Sequence, residues 1–452
     1  MPQETMSTLI DQVDEIFPTM LIGSVVRTEG LMAAIAGFPA PVGAMVEIER
    51  QSGPPVPAEV IGFRESATLV YPYADMAGVR HGNRVRLVRT SKYVRCGANL
   101  LGRVVDANGN VVDGREAPSL SDRVPLMRKP PPACDRPRIE EPLTTGVRVL
   151  DGLLTVGVGQ RMGVFAGSGV GKSVTIGMMA RGTSADVNVI GLIGERGREV
   201  NEFLERDLGP RGMARSIVVV ATSDEPALMR IQAANTATAI AEYFRDQGKS
   251  VLLIMDSVTR FAMAQREVGL AAGEPPTTKG YPPSVFALLP RLVERAGRGK
   301  VGSITAFYSV LVEGDDTNDP VADTVRGLID GHTVLSRKIA GRGHYPAVDI
   351  LQSISRLMND IVSKDHREAA QLVRELIAVY RDHEDLISIG AYRQGANPVV
   401  DTAIAMRDEI SKFMRQAVTD QTNAAQAKAE LLAVAQKCQA ARASFSNAGA
   451  KR

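Results

Sequence analysis

At 452 residues the chain is longer than one hydrophobic core serves, and a scale of about 150 residues per domain gives about three domains. Hydrophobic residues at 44% and charged residues at 23% exclude a disordered chain, and a formal net charge of +2 provides no whole-molecule attraction to nucleic acid or a membrane surface. Cys96, Cys134 and Cys438 lie far apart, are odd in number and lack metal-ligand spacing, so they read as reduced thiols of a cytoplasmic protein. Glu4, Asp11, Asp14 and Glu15 are inconsistent with a signal peptide, and no stretch approaches the about 18 apolar residues of a membrane span.

Residues 1–17 carry Met6, Leu9, Ile10, Val13 and Phe17 at helical spacing, which predicts a short amphipathic helix whose apolar stripe needs a partner. From Gly23 to about Arg95, short β-rich runs alternate with Gly/Pro turns, which predicts a small β-barrel domain over 18–95. Its end is basic, with Arg80, Arg84, Arg86, Arg89, Lys92 and Arg95; a solvated strand face and an anion-binding patch both fit this run. Residues 118–142, including Pro130-Pro131-Pro132, read as an extended connector from the barrel into a nucleotide-binding domain spanning 96–375. Within that domain the apolar runs Val187–Ile193, Ser216–Val220, Val251–Asp256 and Ser303–Tyr308 alternate with helical stretches such as Leu228–Phe244, which predicts a parallel sheet covered on both faces. A helical domain over 376–452 follows, with an alanine-rich last helix expected to fray.

The chemistry is concentrated in Val164–Ser173. An apolar run enters a turn of Gly167, Ser168, Gly169, Val170 and Gly171, and Lys172, Ser173 and Val174 open a helical segment. Glycines let the backbone N–H groups converge on phosphate oxygens, Lys172 supplies positive charge, and the Ser173 hydroxyl is a magnesium ligand. The first position of the G-x-x-x-x-G-K-[ST] pattern is Ala166, where a small residue suffices. Asp256 ends the most apolar run, the place for a magnesium-organising carboxylate, although an aspartate there also caps helices. Glu195 and Arg196 follow another apolar run, where a carboxylate can orient attacking water; on its own that loop is a weak signal.

Phe165–Ser173, Gly194–Val200, Asp256–Arg260, Asp319–Asp323, Asp330–His332 and Val334–Arg337 together resemble the ATPases of type III protein export, relatives of the catalytic subunit of rotary ATP synthases. The run Gly343–Arg356 also fits the rotary-ATPase pattern P-A-x-D-x-x-x-S-x-S. The resemblance covers about residues 18–400 and implies a RecA-like P-loop core between the barrel and the C-terminal helices. It implies that ATP and Mg2+ are bound, with Lys172 on phosphate, Ser173 and Asp256 on the metal, Glu195 activating water, and Arg196 and Arg260 near the γ-phosphate. Tyr345 matches the adenine-stacking aromatic, Arg356 matches an arginine finger supplied to the neighbouring subunit, and Tyr392 is a candidate second adenine contact. It further implies a homohexamer whose pore is lined by the loop Gly273–Pro283. Its partners would be a central stalk protein, a peripheral regulator at residues 1–17, the export gate and unfolded or chaperone-bound substrates, with no direct nucleic acid. Location would be at the inner face of the cytoplasmic membrane through partners. The flagellar apparatus is the expected system; a virulence-type injectisome ATPase and a rotary proton or sodium ATPase subunit are the alternatives. A ring-shaped RNA translocase would need stacking aromatics on the barrel's basic face, where only Tyr93 stands. A non-hydrolysing structural subunit would have no need of Glu195.

Overall fold

The computed structural model describes residues 21–312 and 319–449. The amphipathic helix expected over 1–17 lies outside the described residues. Six strands, Ile22–Glu29, Met32–Ala36, Met45–Ile48, Val56–Arg64, Ala67–Pro72 and Arg84–Arg89, close into a barrel. Its alternating residues Val25, Ile35, Val46, Ile48, Val60, Val70 and Val85 fill the interior. Outward-facing Met32, Leu69 and Tyr71 pack on Leu228, Ala264 and Val268 of the next domain. Along the basic run, Arg86 pairs with Glu47, Lys92 pairs with Glu59, and the Arg89 and Arg123 guanidinium groups lie over the Tyr93 ring. Those contacts neutralise two of the six basic residues, Arg86 and Lys92, within the fold.

The nucleotide-binding domain is built on a nine-stranded sheet. Its order is Ile354–Ser355, Gly331–Leu335, Arg161–Ala166, Ser303–Leu311, Ser250–Asp256, Val187–Glu195, Ser216–Thr222 and Arg103–Val105, with Gly297–Arg298 pairing beside Ser303–Leu311. From Gly331–Leu335 through Arg103–Val105 the neighbours on this path are parallel, so their C-terminal ends share one edge. Register places Ala166 opposite Leu311, Met255 opposite Tyr308, and Leu192 opposite Asp256, which gathers the ends of four strands into one row. Both faces are apolar, as the sequence predicts, because Val189, Ile193, Leu253 and Ile304 point to one side while Ile190, Leu192, Leu252 and Ile254 point to the other. The helix Ala227–Asp246 covers the first side, and the helix Lys172–Gly182 lies on the second.

Two expectations about organisation change. The segment 118–142 is largely extended but does not bridge barrel and sheet: Arg103–Val105 has already joined the sheet, and Asp122–Pro125 pairs antiparallel with Tyr93–Cys96 along the nucleotide domain. Arg128 then binds Asp246, and Arg136 binds Glu294. Prolines forbid helix and central strand, so composition exposed the extended backbone but not the surface it follows. The boundary at 95/96 cuts the strand Tyr93–Cys96, whose Val94 and Cys96 are buried in the nucleotide-domain core, and the boundary at 375/376 falls within the helix Lys364–Ser388.

That helix packs with Pro398–Met414 and Ala424–Gly449 into a C-terminal helical layer. The last helix is docked over Ala427–Cys438, where Ala427, Leu431, Val434, Ala435 and Cys438 recur at three- and four-residue spacing and are all buried, whereas none of residues 439–447 is buried. The layer joins the nucleotide domain at the short helix Arg148–Leu153, where the Phe413 ring lies so close to Gly152 that an added Cβ would stand 2.8 Å from it.

Behind the sheet, Arg295 and Glu242 form a two-pronged ion pair with distances of 3.0 and 2.8 Å, at 2% and 1% side-chain exposure. Neither charge can recover hydration if its partner is removed. Arg295→Met is therefore expected to lower the stability of the nucleotide domain by about 3–5 kcal/mol, read by denaturant unfolding; a change below about 1 kcal/mol would show that the pair is dispensable.

Candidate functional site

The strand Arg161–Ala166 ends in a turn that needs left-handed backbone at Gly169 and Gly171, with φ of 77° and 87°, conformations that cost side-chain-bearing residues about 1–2 kcal/mol. Gly171 leads directly into the helix Lys172–Gly182. The first N–H groups of a helix have no internal acceptor, so this turn presents donors and the positive end of the helix dipole to an anion. Ser168, Gly169 and Ser173 are exposed at the mouth, whereas Val170 is buried beneath it.

Lys172 reaches across the row of strand ends. Its ammonium pairs with Asp256, stands 3.6 Å from a Glu195 carboxylate oxygen, and donates to the Ser309 hydroxyl at 3.3 Å. Ser309 in turn donates to the same Asp256 oxygen, Oδ1, at 2.7 Å. Glu195 arrives by a local irregularity: between Ile193 and Glu195 the pairing with Ser216–Thr222 slips by a residue, and Gly194 takes φ of 71°. The bulge aims Glu195 toward Lys172, and only glycine fits there, since a Cβ on Gly194 would meet the Arg260 Cβ at 2.9 Å.

The electrostatics follow from crowding two carboxylates around one ammonium. Burial pushes the Glu195 carboxyl up, and the adjacent Asp256 charge adds to that against the opposing pull of Lys172, giving a value of about 7. For Lys172 burial acts to lower the value, but Asp256 and Glu195 outweigh it and hold the ammonium above its ordinary range. The lysine is a fixed cation, whereas the glutamate is poised to exchange a proton near neutrality.

Lys172, Glu195, Asp256 and Arg260 are brought together. Arg260 lies in the first turn of the helix Val258–Ala271, capped by Ser257, with its stem on Gly194 and its buried Nε without a hydrogen-bond partner among the described residues. A buried unpaired guanidinium nitrogen beside the phosphate turn fits a missing anion. The Asp256 donor set fits magnesium in the same way. Its Oδ1 is engaged by Lys172 and Ser309, and among the described residues Oδ2 has no hydrogen bond. Tyr345 borders the turn: a Cβ on Gly171 would lie 3.4 Å from its ring, and 46% of the residue is exposed.

Three candidates stand elsewhere. Arg196 is turned outward, with 80% of its side chain exposed and Glu199 as its partner at 3.4 Å, because it sits at the N-cap of the helix Gly197–Glu202 rather than on the strand. Arg356 follows the edge strand Ile354–Ser355, is exposed, and donates its N–H to the Asp330 carbonyl at 3.0 Å, level with Arg161. From that level to the phosphate turn is the whole strand Arg161–Ala166, roughly 17–20 Å at about 3.3 Å per residue, so Arg356 does not attend its own chain's turn. Tyr392 is occupied within its own turn, its hydroxyl bound to Asn397 and Asp401 at 3.1 Å each. The C-terminal layer instead reaches the nucleotide edge through Gln416, whose N–H donates to the Tyr345 carbonyl at 3.0 Å.

Two residues without a sequence-derived role join the site. Ser309 is one. Arg337 is the other: a Cβ on Gly167 would fall 2.7 Å from its Nε, so its guanidinium leans over the first glycine of the turn. Nothing in the residue types around Ser309 marks it, while Arg337 ends the quoted Val334–Arg337 run and was legible there as a motif residue.

Residues 146–355 match the nucleotide-binding domain of the ATP synthase alpha/beta family, and residues 362–433 match the C-terminal domain of the EscN ATPase of type III secretion. The flagellum-specific ATP synthase of Bacillus subtilis is 53% identical, with 90% of this chain and 94% of the relative covered. The type 3 secretion system ATPase of Xanthomonas euvesicatoria is 52% identical, over 91% of this chain and 93% of the relative. Among solved structures, the assembled ATPase EscN of enteropathogenic E. coli superposes with a TM-score of 0.87 at 46% identity, covering 91% of this chain and all of that one. A second structure, of EscN with its central stalk EscO, gives 0.85 at 45% identity over 91% of this chain and 100% of that one. With the phosphate turn, the two carboxylates and the C-terminal helical layer in the same arrangement of domains, the chain belongs to the type III protein-export ATPases, a branch of the ATP synthase alpha/beta family.

Proposed function

We propose that this protein is a magnesium-dependent ATP phosphohydrolase that energises type III protein export as a homohexameric ring, with each active site shared between neighbours. The observation that carries this reading is the convergence of Lys172, Glu195 and Asp256 at the strand ends while Arg356 stays at the opposite end of the sheet. The flagellar apparatus is the system we assign; the 52% relative named for type 3 secretion favours the injectisome as the second reading. The likeness to EscN in complex with its central stalk EscO supports an assembly that engages a stalk protein.

In the proposed cycle the phosphate chain of ATP lies along Gly167–Lys172, and Lys172 exchanges its carboxylate partners for phosphate oxygens. Glu195 holds a water in line with the γ-phosphorus. As the new oxygen–phosphorus bond forms, the water's proton passes to Glu195, and the bond to the bridging oxygen breaks to leave ADP. Ser173 and Asp256 would hold magnesium, which when bound supplies positive charge to the β- and γ-phosphate oxygens. Arg260 and, after rotation of its side chain, Arg196 add charge at the γ-phosphate, and Tyr345 offers its face to adenine. Arg356 of one subunit completes the neighbour's site. Gln416 links Tyr345 to the C-terminal helices and also accepts from the Arg148 N–H at 2.7 Å, a route by which nucleotide state reaches that layer. The loop Gly273–Pro283 is assigned to the pore, residues 1–17 to the regulator, and the C-terminal layer to stalk, gate and substrate contacts. We divide the chain into barrel, nucleotide-binding and helical domains at the structural breaks after Arg89 and before Lys364. Among the described residues no helix is long and apolar enough to cross a membrane, so we assign membrane attachment to partners.

Three outcomes test this reading. Glu195→Gln is expected to bind ATP with little change yet lose about 10²–10⁴-fold in turnover, measured by phosphate release; near-normal turnover would remove Glu195 as the base. Arg356→Ala is expected to lose about 10³–10⁵-fold alone and to regain partial activity when mixed with Lys172→Ala subunits. Mixed rings that never recover activity would count against sharing. Glu195 accepts a proton only when ionised, and its carboxyl sits at about 7, so kcat/KM for ATP is expected to rise as pH increases through about 7 and to flatten above it. Lys172, held above its ordinary value, stays charged across that range. A profile flat from pH 5 to 9 would disconnect the step from Glu195.

A further inference from the structure

We infer that Ser309 is a positioning residue that keeps the Asp256 carboxylate aimed at the metal when Lys172 leaves it for phosphate. The inference rests on the magnesium-dependent reading above and adds a residue to it. Ser309 lies in the strand Ser303–Leu311, between the phosphate-turn strand and the Asp256 strand, and is fully buried at 0% exposure. Register sets Val164 opposite Ser309 on one side and Met255 opposite Tyr308 on the other, so the hydroxyl emerges between Lys172 and Asp256. It has one donor, spent on Asp256 Oδ1 at 2.7 Å, and it accepts from Lys172 at 3.3 Å. The spacing of the two strand ends is fixed independently, since the Leu311 N–H donates to the Thr259 hydroxyl at 2.9 Å, just beyond Asp256 in the chain.

The need for such a group follows from the exchange that ATP imposes. Asp256 is 3% exposed, and in the resting chain its Oδ1 is satisfied by an ammonium and a hydroxyl together. Once Lys172 turns to phosphate, a buried carboxylate oxygen without another donor would be costly and free to rotate. The Ser309 hydroxyl stays on Oδ1 throughout, which pins the carboxylate plane and leaves Oδ2 facing the nucleotide. An alanine at 309 keeps the strand and its packing but removes that pin.

The measurement is the affinity of a fluorescent ADP analogue for the full-length protein in excess magnesium and in EDTA, for wild type, Ser309→Ala, Ser309→Thr and Asp256→Asn. The ratio of the two affinities isolates metal-linked binding from folding of the phosphate turn. Ser309→Ala is expected to leave the EDTA affinity within about twofold and to shrink the ratio about tenfold, the scale on which groups orienting a metal-binding carboxylate act. Ser309→Thr, which retains the hydroxyl, is expected to restore the ratio. A wild-type ratio in Ser309→Ala overturns the inference, as does a loss of affinity equal in magnesium and EDTA, which would make Ser309 merely structural. If Asp256→Asn leaves the ratio unchanged, the metal assignment of Asp256 fails instead, a result distinct from failure at Ser309.

Discussion

A single ammonium among two carboxylates is the interaction on which this site depends. The side chain of Lys172 is 11% exposed, that of Glu195 16% and that of Asp256 5%, so none of the three charges is well hydrated and each sets the state of the others. Without Lys172 the two acids would repel across a low-dielectric gap; without them the buried ammonium would have no counter-charge. Binding a polyanion redistributes that balance. In the cycle proposed above, the lysine gains phosphate as a partner, Asp256 the metal and Glu195 a proton.

The sheet makes this possible through parallel register. Antiparallel neighbours would alternate their ends between two edges, whereas parallel ones deliver Ala166, Glu195, Asp256 and Ser309 to the same edge. The edge strand Ile354–Ser355 instead runs antiparallel to Gly331–Leu335, so its C-terminal end delivers Arg356 to the other end of the sheet, level with Arg161. On the proposed reading, a site shared between neighbouring chains follows from this topology. The C-terminal helices are tied to the nucleotide domain by many contacts, Gln416 on Tyr345, Arg381 on Asp349 and Phe413 on Gly152 among them, so a shift of the nucleotide edge has several paths into that layer.

Much of this was legible in the sequence because the signals are local. The phosphate turn needs glycines at fixed offsets, a doubly buried parallel strand reads as an unbroken apolar run, and prolines report extended backbone; each property belongs to a few consecutive residues. Lys172 and Asp256 were recognisable because each ends or follows such a run, whereas Glu195 was a weak signal on that ground and rested on the resemblance. Side-chain direction was not: Arg196 adjoins Glu195 in sequence, yet the helix beginning at Gly197 turns it outward to Glu199. The segment 118–142 is extended, as its prolines require, but it follows a different surface from the expected one, since nothing local says where an extended segment runs.

By itself the sequence determined the element types, the phosphate turn and the identity of the acids, because propensity, periodicity and spacing act over a few residues. Only the tertiary structure decided that Ser309, 53 residues from Asp256 and 137 from Lys172, shares an oxygen with that lysine, and that Arg337 leans over Gly167. It also decided which end of the sheet holds Arg356. Such contacts depend on strand order and register, set by the packing of the whole core, and a serine in an apolar strand carries no mark of the carboxylate it will meet.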